Sequence, residues 1–110
     1  MRILLDECMP RDFAGQFPGH YVLTVRQAGW DGISNGHLLK RVADSGQFDV
    51  FMTVDKNLPH QNKILALPFA IVVLRGKSNR LEHLLPLAPE FLRRIAEFQP
   101  GHAYSVSASQ

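Results

Sequence analysis

A single cysteine, Cys8, is present among the 110 residues. One thiol can form neither an intrachain disulfide nor a cysteine-based zinc cage. No apolar run approaches the ~20 residues needed to cross a bilayer. The opening Met1 to Leu5 meets Asp6 and Glu7 too soon to hold a signal-peptide core. These absences lead us to expect a cytoplasmic protein with no membrane association. Repeats, low-complexity tracts and a glycine-rich phosphate loop are also missing.

Hydrophobic residues make up 45% of the chain and charged residues 20%, which is ordinary globular usage and argues against disorder. The length suits one domain, expected over residues 1–106, with residues 107–110 as a flexible tail. The net charge is only +2, but it is unevenly spread. Residues 1–60 carry six Lys or Arg against seven Asp or Glu, whereas residues 61–110 carry six against three. An acidic pocket beside a cationic lip is compatible with that asymmetry; so is ordinary solvated charge.

Apolar runs and helical periodicities alternate along the chain. Arg2 to Asp6 reads as a strand buried on both faces. Pro10 can open a helix to about Phe17, and Pro18-Gly19 turns the chain into a β-branched strand over Tyr21 to Val25. After the Gly29-Trp30-Asp31-Gly32 loop, Ser34 is positioned to cap a helix through Ser45, with Gly46 ending it. Asp49 to Val54 is a third strand, followed by a short helical stretch to Leu65. Phe69 to Leu74 is the fourth strand. Leu81 to Ala96 keeps helical spacing, but Pro86 and Pro89 predict two helices or a broken one. His102 to Val106 can form an edge strand. This alternation predicts an α/β fold with a parallel sheet covered on both faces.

In such sheets, sites form beyond the carboxyl ends of the strands. Two predicted strands run into acids there, Asp6-Glu7 and Asp55. Converging carboxylates repel one another unless a cation lies between them, and magnesium, which takes oxygen ligands and retains water, suits that role. A strand-end carboxylate can equally cap the next turn. Glu7 should point away from Asp6 if the strand continues.

Leu4-Leu5-Asp6-Glu7, the Gly29-Trp30 loop, Asn35-Gly36-x-Leu38-Leu39 and Thr53-x-Asp55-x-Asn57-Leu58 together resemble a small bacterial PIN-like family. Gln61-Asn62, the Val72-Val73-Leu74 strand, Ser78-Asn79-Arg80 and Leu85-Pro86-Leu87-x-Pro89 extend the resemblance from Arg2 to about Val106. It implies a PIN-like three-layer sandwich, with a mostly parallel central sheet flanked by helices. It also implies a metal-dependent endoribonuclease acting as the toxin of a toxin–antitoxin pair, or a PIN-like domain with weakened catalysis that binds protein or RNA. RNA, a small antitoxin-like protein and a second copy of the chain are the partners it implies.

By position, Asp6 and Asp55 resemble the family's metal-binding acids, with Glu7 or His37 assisting around Mg2+ or Mn2+. Asn57 resembles a residue that positions water or substrate. The family's acid at the start of the middle helix is replaced here by Ser34-Asn35-Gly36-His37. An imidazole at that point favours manganese or another transition metal over magnesium. Asp31 and Asp44 are the nearby substitutes. Asn57, Gln61 and Asn62 form an amide cluster able to hold a phosphate oxygen, or to satisfy backbone groups at a loop-to-helix junction. Arg75, Lys77 and Arg80 follow the fourth strand at the same sheet end as the acids and are the candidates for RNA phosphate contacts. Trp30 suits a loop plug or a base-stacking platform, and Cys8 suits buried packing.

Overall fold

The computed structural model describes residues 1–108. Five short strands form its sheet: β1 (Arg2–Leu5), β2 (Tyr21–Thr24), β3 (Val50–Thr53), β4 (Ala70–Leu74) and β5 (Ala103–Val106). They lie in the order β2-β1-β3-β4-β5, and every neighbouring pair is parallel. The sheet is thus wholly parallel among the described residues. β3 and β4 are buried along their whole length, which is why both read as continuous apolar runs rather than alternating ones.

Alternate side chains divide between two cores. Ile3, Leu5, Val50, Met52, Ala70, Val72 and Leu74 pack on one face with Phe13, Phe17, Leu84, Leu87 and Phe91. Leu4, Phe51, Ile71 and Val73 pack on the other with Leu38, Leu39, Val42 and Leu58. The first face is covered by a 3-10 helix at Arg11–Gln16 together with α3 (Leu81–Leu84) and α4 (Leu87–Arg93). The second is covered by α1 (Asn35–Ser45) and α2 (Leu58–Gln61). The result is a three-layer α/β sandwich. No helix is long and apolar enough to cross a membrane among the described residues.

Several boundaries differ from the sequence reading. The segment after Pro10 is a 3-10 helix of six residues; it contains Gly15, a poor α-helix former. α2 ends at Gln61 rather than near Leu65, because Asn62 turns to extended backbone while its Nδ2 donates to the Leu58 carbonyl at 2.8 Å. Pro86 separates α3 from α4, whereas Pro89 lies in the first turn of α4, where an N–H has no intrahelical acceptor to lose. Ser107 and Ala108 leave β5 without regular structure; the rest of the expected tail lies outside the described residues.

The connections carry one topological exception. From β1 to β2 the chain crosses the first face in one direction, and from β2 to β3 and β3 to β4 it crosses the second face in the other. Those three share one hand. The β4-to-β5 connection crosses the first face while moving in the direction of the second pair, so its hand is opposite. Parallel crossovers are right-handed in nearly all cases. An aromatic row holds this one down: Phe13, Phe17, Phe91, Phe98 and Tyr104 follow each other with ring centroids 5.0–5.3 Å apart. The second face of β5 consequently has no helix over it, and Ala103 and Ser105 are exposed there.

Candidate functional site at the ends of β1 and β3

The sheet order reverses between β1 and β3, the switch point at which doubly wound sheets open a crevice beyond their carboxyl ends. Asp6 follows β1 directly, and its N–H still donates to Met52 of β3 at 2.9 Å. The residue is only 7% exposed, and a buried carboxylate needs donors. The Glu7 N–H donates to Oδ1 at 2.7 Å, and the Thr53 hydroxyl donates to Oδ2 at 2.6 Å. The Cys8 thiol reaches Oδ2 at 3.6 Å.

Thr53, wholly buried at the end of β3, also accepts from the Asp55 N–H at 3.1 Å. One hydroxyl therefore joins the two acid-bearing loops. Asp55 is half-buried, and its Oδ1 accepts the Asn57 N–H at 2.9 Å, a turn that opens α2. Asn57 contributes its backbone to that turn and leaves its side chain exposed. Of the other amides, Gln61 is exposed and Asn62 is spent on the Leu58 carbonyl.

Glu7 takes a different course from Asp6, as strand alternation predicts. It is exposed, and its Oε1 accepts the Gly32 N–H at 2.9 Å, bracing the β2–α1 loop. Trp30 of that loop is half-buried and packs edge-to-face on Phe48, centroids 6.1 Å apart, so it acts as a plug. His37 is exposed in the first turn of α1, with Nδ1 3.1 Å from the Ser34 hydroxyl. That pairing occupies Ser34, which stands at the N-cap position without making the expected side-chain cap. Asp31 and Asp44 are exposed.

Cys8 differs from the sequence reading, which buried it. The residue is exposed, with its sulfur against Asp6 and Thr53. Partial burial is the main cause pushing the thiol above its ordinary pKa; the Asp6 charge adds to it, while a backbone bond from Val54 and one from Thr53 work the other way.

Among the described residues there is no group of three or more His, Cys, Asp and Glu side chains placed to hold a metal ion. A transition metal caged by protein therefore does not fit. The carboxylates of Asp6 and Asp55 keep lone pairs beyond the bonds described above, and an ion that retains its waters needs only one or two carboxylates.

Cationic side chains flank the acids on two sides. The Asn79 Nδ2 donates to the Cys8 carbonyl at 2.9 Å, fastening the β4–α3 loop to the loop that carries Asp6. Arg75, Lys77 and Arg80 of that loop are all exposed. Arg80 is paired with Glu82 at 3.0 Å, which offsets part of its charge. On the β2 side, a cavity of about 100 Å3 is lined by Asp6, Glu7, Met9, Thr24, Arg11 and Arg26. Reciprocal bonds of 2.9 and 3.0 Å between Thr24 and Gln27 set the turn that presents Arg26.

Sequence reasoning placed Thr53 in the motif with Asp55 and Asn57 but gave it no role, and it did not single out Arg11 or Arg26. Thr53 was readable as the polar residue closing an apolar strand two places before Asp55. The two arginines carried no such signal, since only the fold brings β1 and β2 loops together. Comparison with protein-family models, with curated proteins and with solved structures gives no match.

Proposed function

We propose that this chain is a PIN-like, divalent-metal-dependent endoribonuclease, with Asp6 and Asp55 as the residues that hold a hydrated Mg2+ or Mn2+ ion. The observation that carries this reading is the Asp6–Thr53–Asp55 linkage at the switch point. When bound, the ion supplies an acidified water and neutralises charge on a phosphoryl oxygen. The chain's own residues do the rest. Thr53 and the Glu7 N–H fix the direction of the Asp6 carboxylate, and the Asn57 N–H does so for Asp55. Arg75, Lys77 and Arg80 contact RNA phosphates, and Asn79 keeps their loop beside Asp6. In this reading the biological form is the toxin of a toxin–antitoxin pair, partnered by a small antitoxin-like protein.

A second reading is a PIN-like module that binds RNA or protein without cleaving it. The positions of Glu7 and His37 favour it, since one braces the Gly32 loop and the other pairs with Ser34. The test is cleavage of single-stranded RNA with magnesium or manganese by wild type, Asp6→Asn and Asp55→Asn, with RNA binding measured alongside. The enzyme reading expects each variant to lose at least about tenfold in rate, as loss of a metal ligand should cause, while RNA affinity is kept. Wild type that binds RNA but gives no metal-dependent cleavage refutes the enzyme reading and leaves the binding module.

A further inference from the structure

The reversed hand of the last crossover has a chemical consequence on the opposite side of the sheet. With no helix above β5 there, a cavity of about 150 Å3 opens between α2 and the β4–β5 edge. Lys56, Pro59 and His60 form one wall, and Val73, Arg75 and Ser105 form the other. Val73 and Ser105 are register partners, so the apolar floor and the hydroxyl are set side by side. Arg75 continues β4, its N–H donating to the Val106 carbonyl at 2.8 Å. This bond holds the Arg75 backbone beside β5, and its side chain is exposed at the sheet edge.

No ion pair among the described residues involves Lys56 or Arg75. No acidic side chain lines the cavity. Two positive charges, an imidazole and a hydroxyl thus border a space smaller than the ~300–1,000 Å3 of drug-sized pockets. The space accommodates a single tetrahedral anion. Arg and Lys with neighbouring hydroxyl donors are the groups that recognise phosphate.

We propose that this cavity binds one phosphate monoester and, resting on the ribonuclease reading, that the phosphate is carried on an RNA strand. Lys56 directly follows Asp55, so an RNA end seated here lies next to the acid-bearing loop. The cavity then acts as an anchoring subsite that sets which phosphodiester reaches Asp6 and Asp55.

The experiment uses the whole chain without added divalent ion. Calorimetry measures inorganic phosphate, a 5′-phosphorylated short oligoribonucleotide and its 5′-hydroxyl counterpart against wild type, Lys56→Met/Arg75→Met and Lys56→Arg. The expected result is phosphate binding weakened at least about tenfold in the double variant, the equivalent of ~1.4 kcal/mol, and retained in Lys56→Arg. The 5′-phosphorylated strand should bind wild type at least about tenfold tighter than the 5′-hydroxyl strand. Unchanged phosphate affinity in a double variant that melts like wild type overturns the site, as does absence of phosphate binding to wild type. Equal affinity for the two strands overturns RNA as the phosphate's carrier. Because no metal or cleavage is involved, phosphate binding that survives in a protein without ribonuclease activity upholds the cavity while the ribonuclease reading falls.

Discussion

Replacing Thr53 with Val removes one hydroxyl and changes little else in shape, so it isolates the linkage between the two acid-bearing loops. Thr53 is fully buried and Asp6 is 7% exposed, so neither end of the 2.6 Å bond is screened by solvent. A hydrogen bond to a charged group is worth roughly 1.5–3 kcal/mol, and the neutral bond from the Asp55 N–H adds about 1. The new methyl returns about 0.8 kcal/mol through apolar burial. The expected loss is therefore about 2–3 kcal/mol, or roughly 8–12 °C in Tm for a domain of this size. Thr53→Ser keeps the hydroxyl and gives up one methyl, with an expected loss near 1 kcal/mol. Urea unfolding followed by circular dichroism at neutral pH measures both, with m unchanged. A double-mutant cycle with Asp6→Asn should give a coupling energy of at least about 1 kcal/mol. If Thr53→Val is no more destabilising than Thr53→Ser, or the coupling is near zero, the hydroxyl does not hold Asp6 and the reasoning fails.

Gly101 has φ +80, and an added Cβ would lie 2.4 Å from the Leu65 carbonyl oxygen; Gly101→Ala should therefore cost more than about 2 kcal/mol in unfolding free energy, and a neutral result would mean that the β5 entry relaxes freely. At the opposite sheet end, Asp49 is net lowered below its ordinary pKa of 3.8: burial pushes it up, but the hydrogen bonds and charge of Arg2 together outweigh that. Its contribution is thus present above the unfolded pKa and is lost as pH falls through the lower folded one, so Arg2→Met should flatten the acid side of a stability–pH curve while leaving its shape above about pH 6 alone. Cys8, whose thiol is pushed up chiefly by burial and further by Asp6, should react with iodoacetamide at pH 8 more slowly than free cysteine by at least about threefold, since the thiolate is the nucleophile; Asp6→Asn should raise that rate, and labelling as fast as free cysteine would contradict the local electrostatics.

Much of the fold was legible because its signals are local. Continuous apolar runs at Val50–Thr53 and Ala70–Leu74 mark strands buried on both faces, and Gly46 ends α1 in a left-handed conformation as its position suggested. The short helices were less readable. Asn62 ends α2 by bonding backward to Leu58, a choice that depends on where its side chain finds an acceptor. The same holds for Ser34, whose hydroxyl pairs with His37 rather than with the helix. In each case a polar side chain had two local options of similar energy, and composition does not rank them.

The amino-acid sequence by itself determined the class of fold, the positions of its strands and the presence of acids at the ends of two of them, because burial of apolar runs and hydrophobic periodicity act over a few residues. Only the tertiary structure decided what those acids touch. Asp6 and Thr53 are 47 positions apart yet share a bond, and this requires β1 and β3 to be neighbours in a sheet whose order is set by the packing of every element at once. Tertiary packing likewise turned Glu7 toward Gly32, left His37 with Ser34, and laid the last crossover along an aromatic row on one face. That final choice is nonlocal in the strictest sense: the rings of Phe17, Phe91 and Phe98 gain burial by meeting, and the cost is a bare edge on the other side, where Lys56, His60 and Arg75 come together.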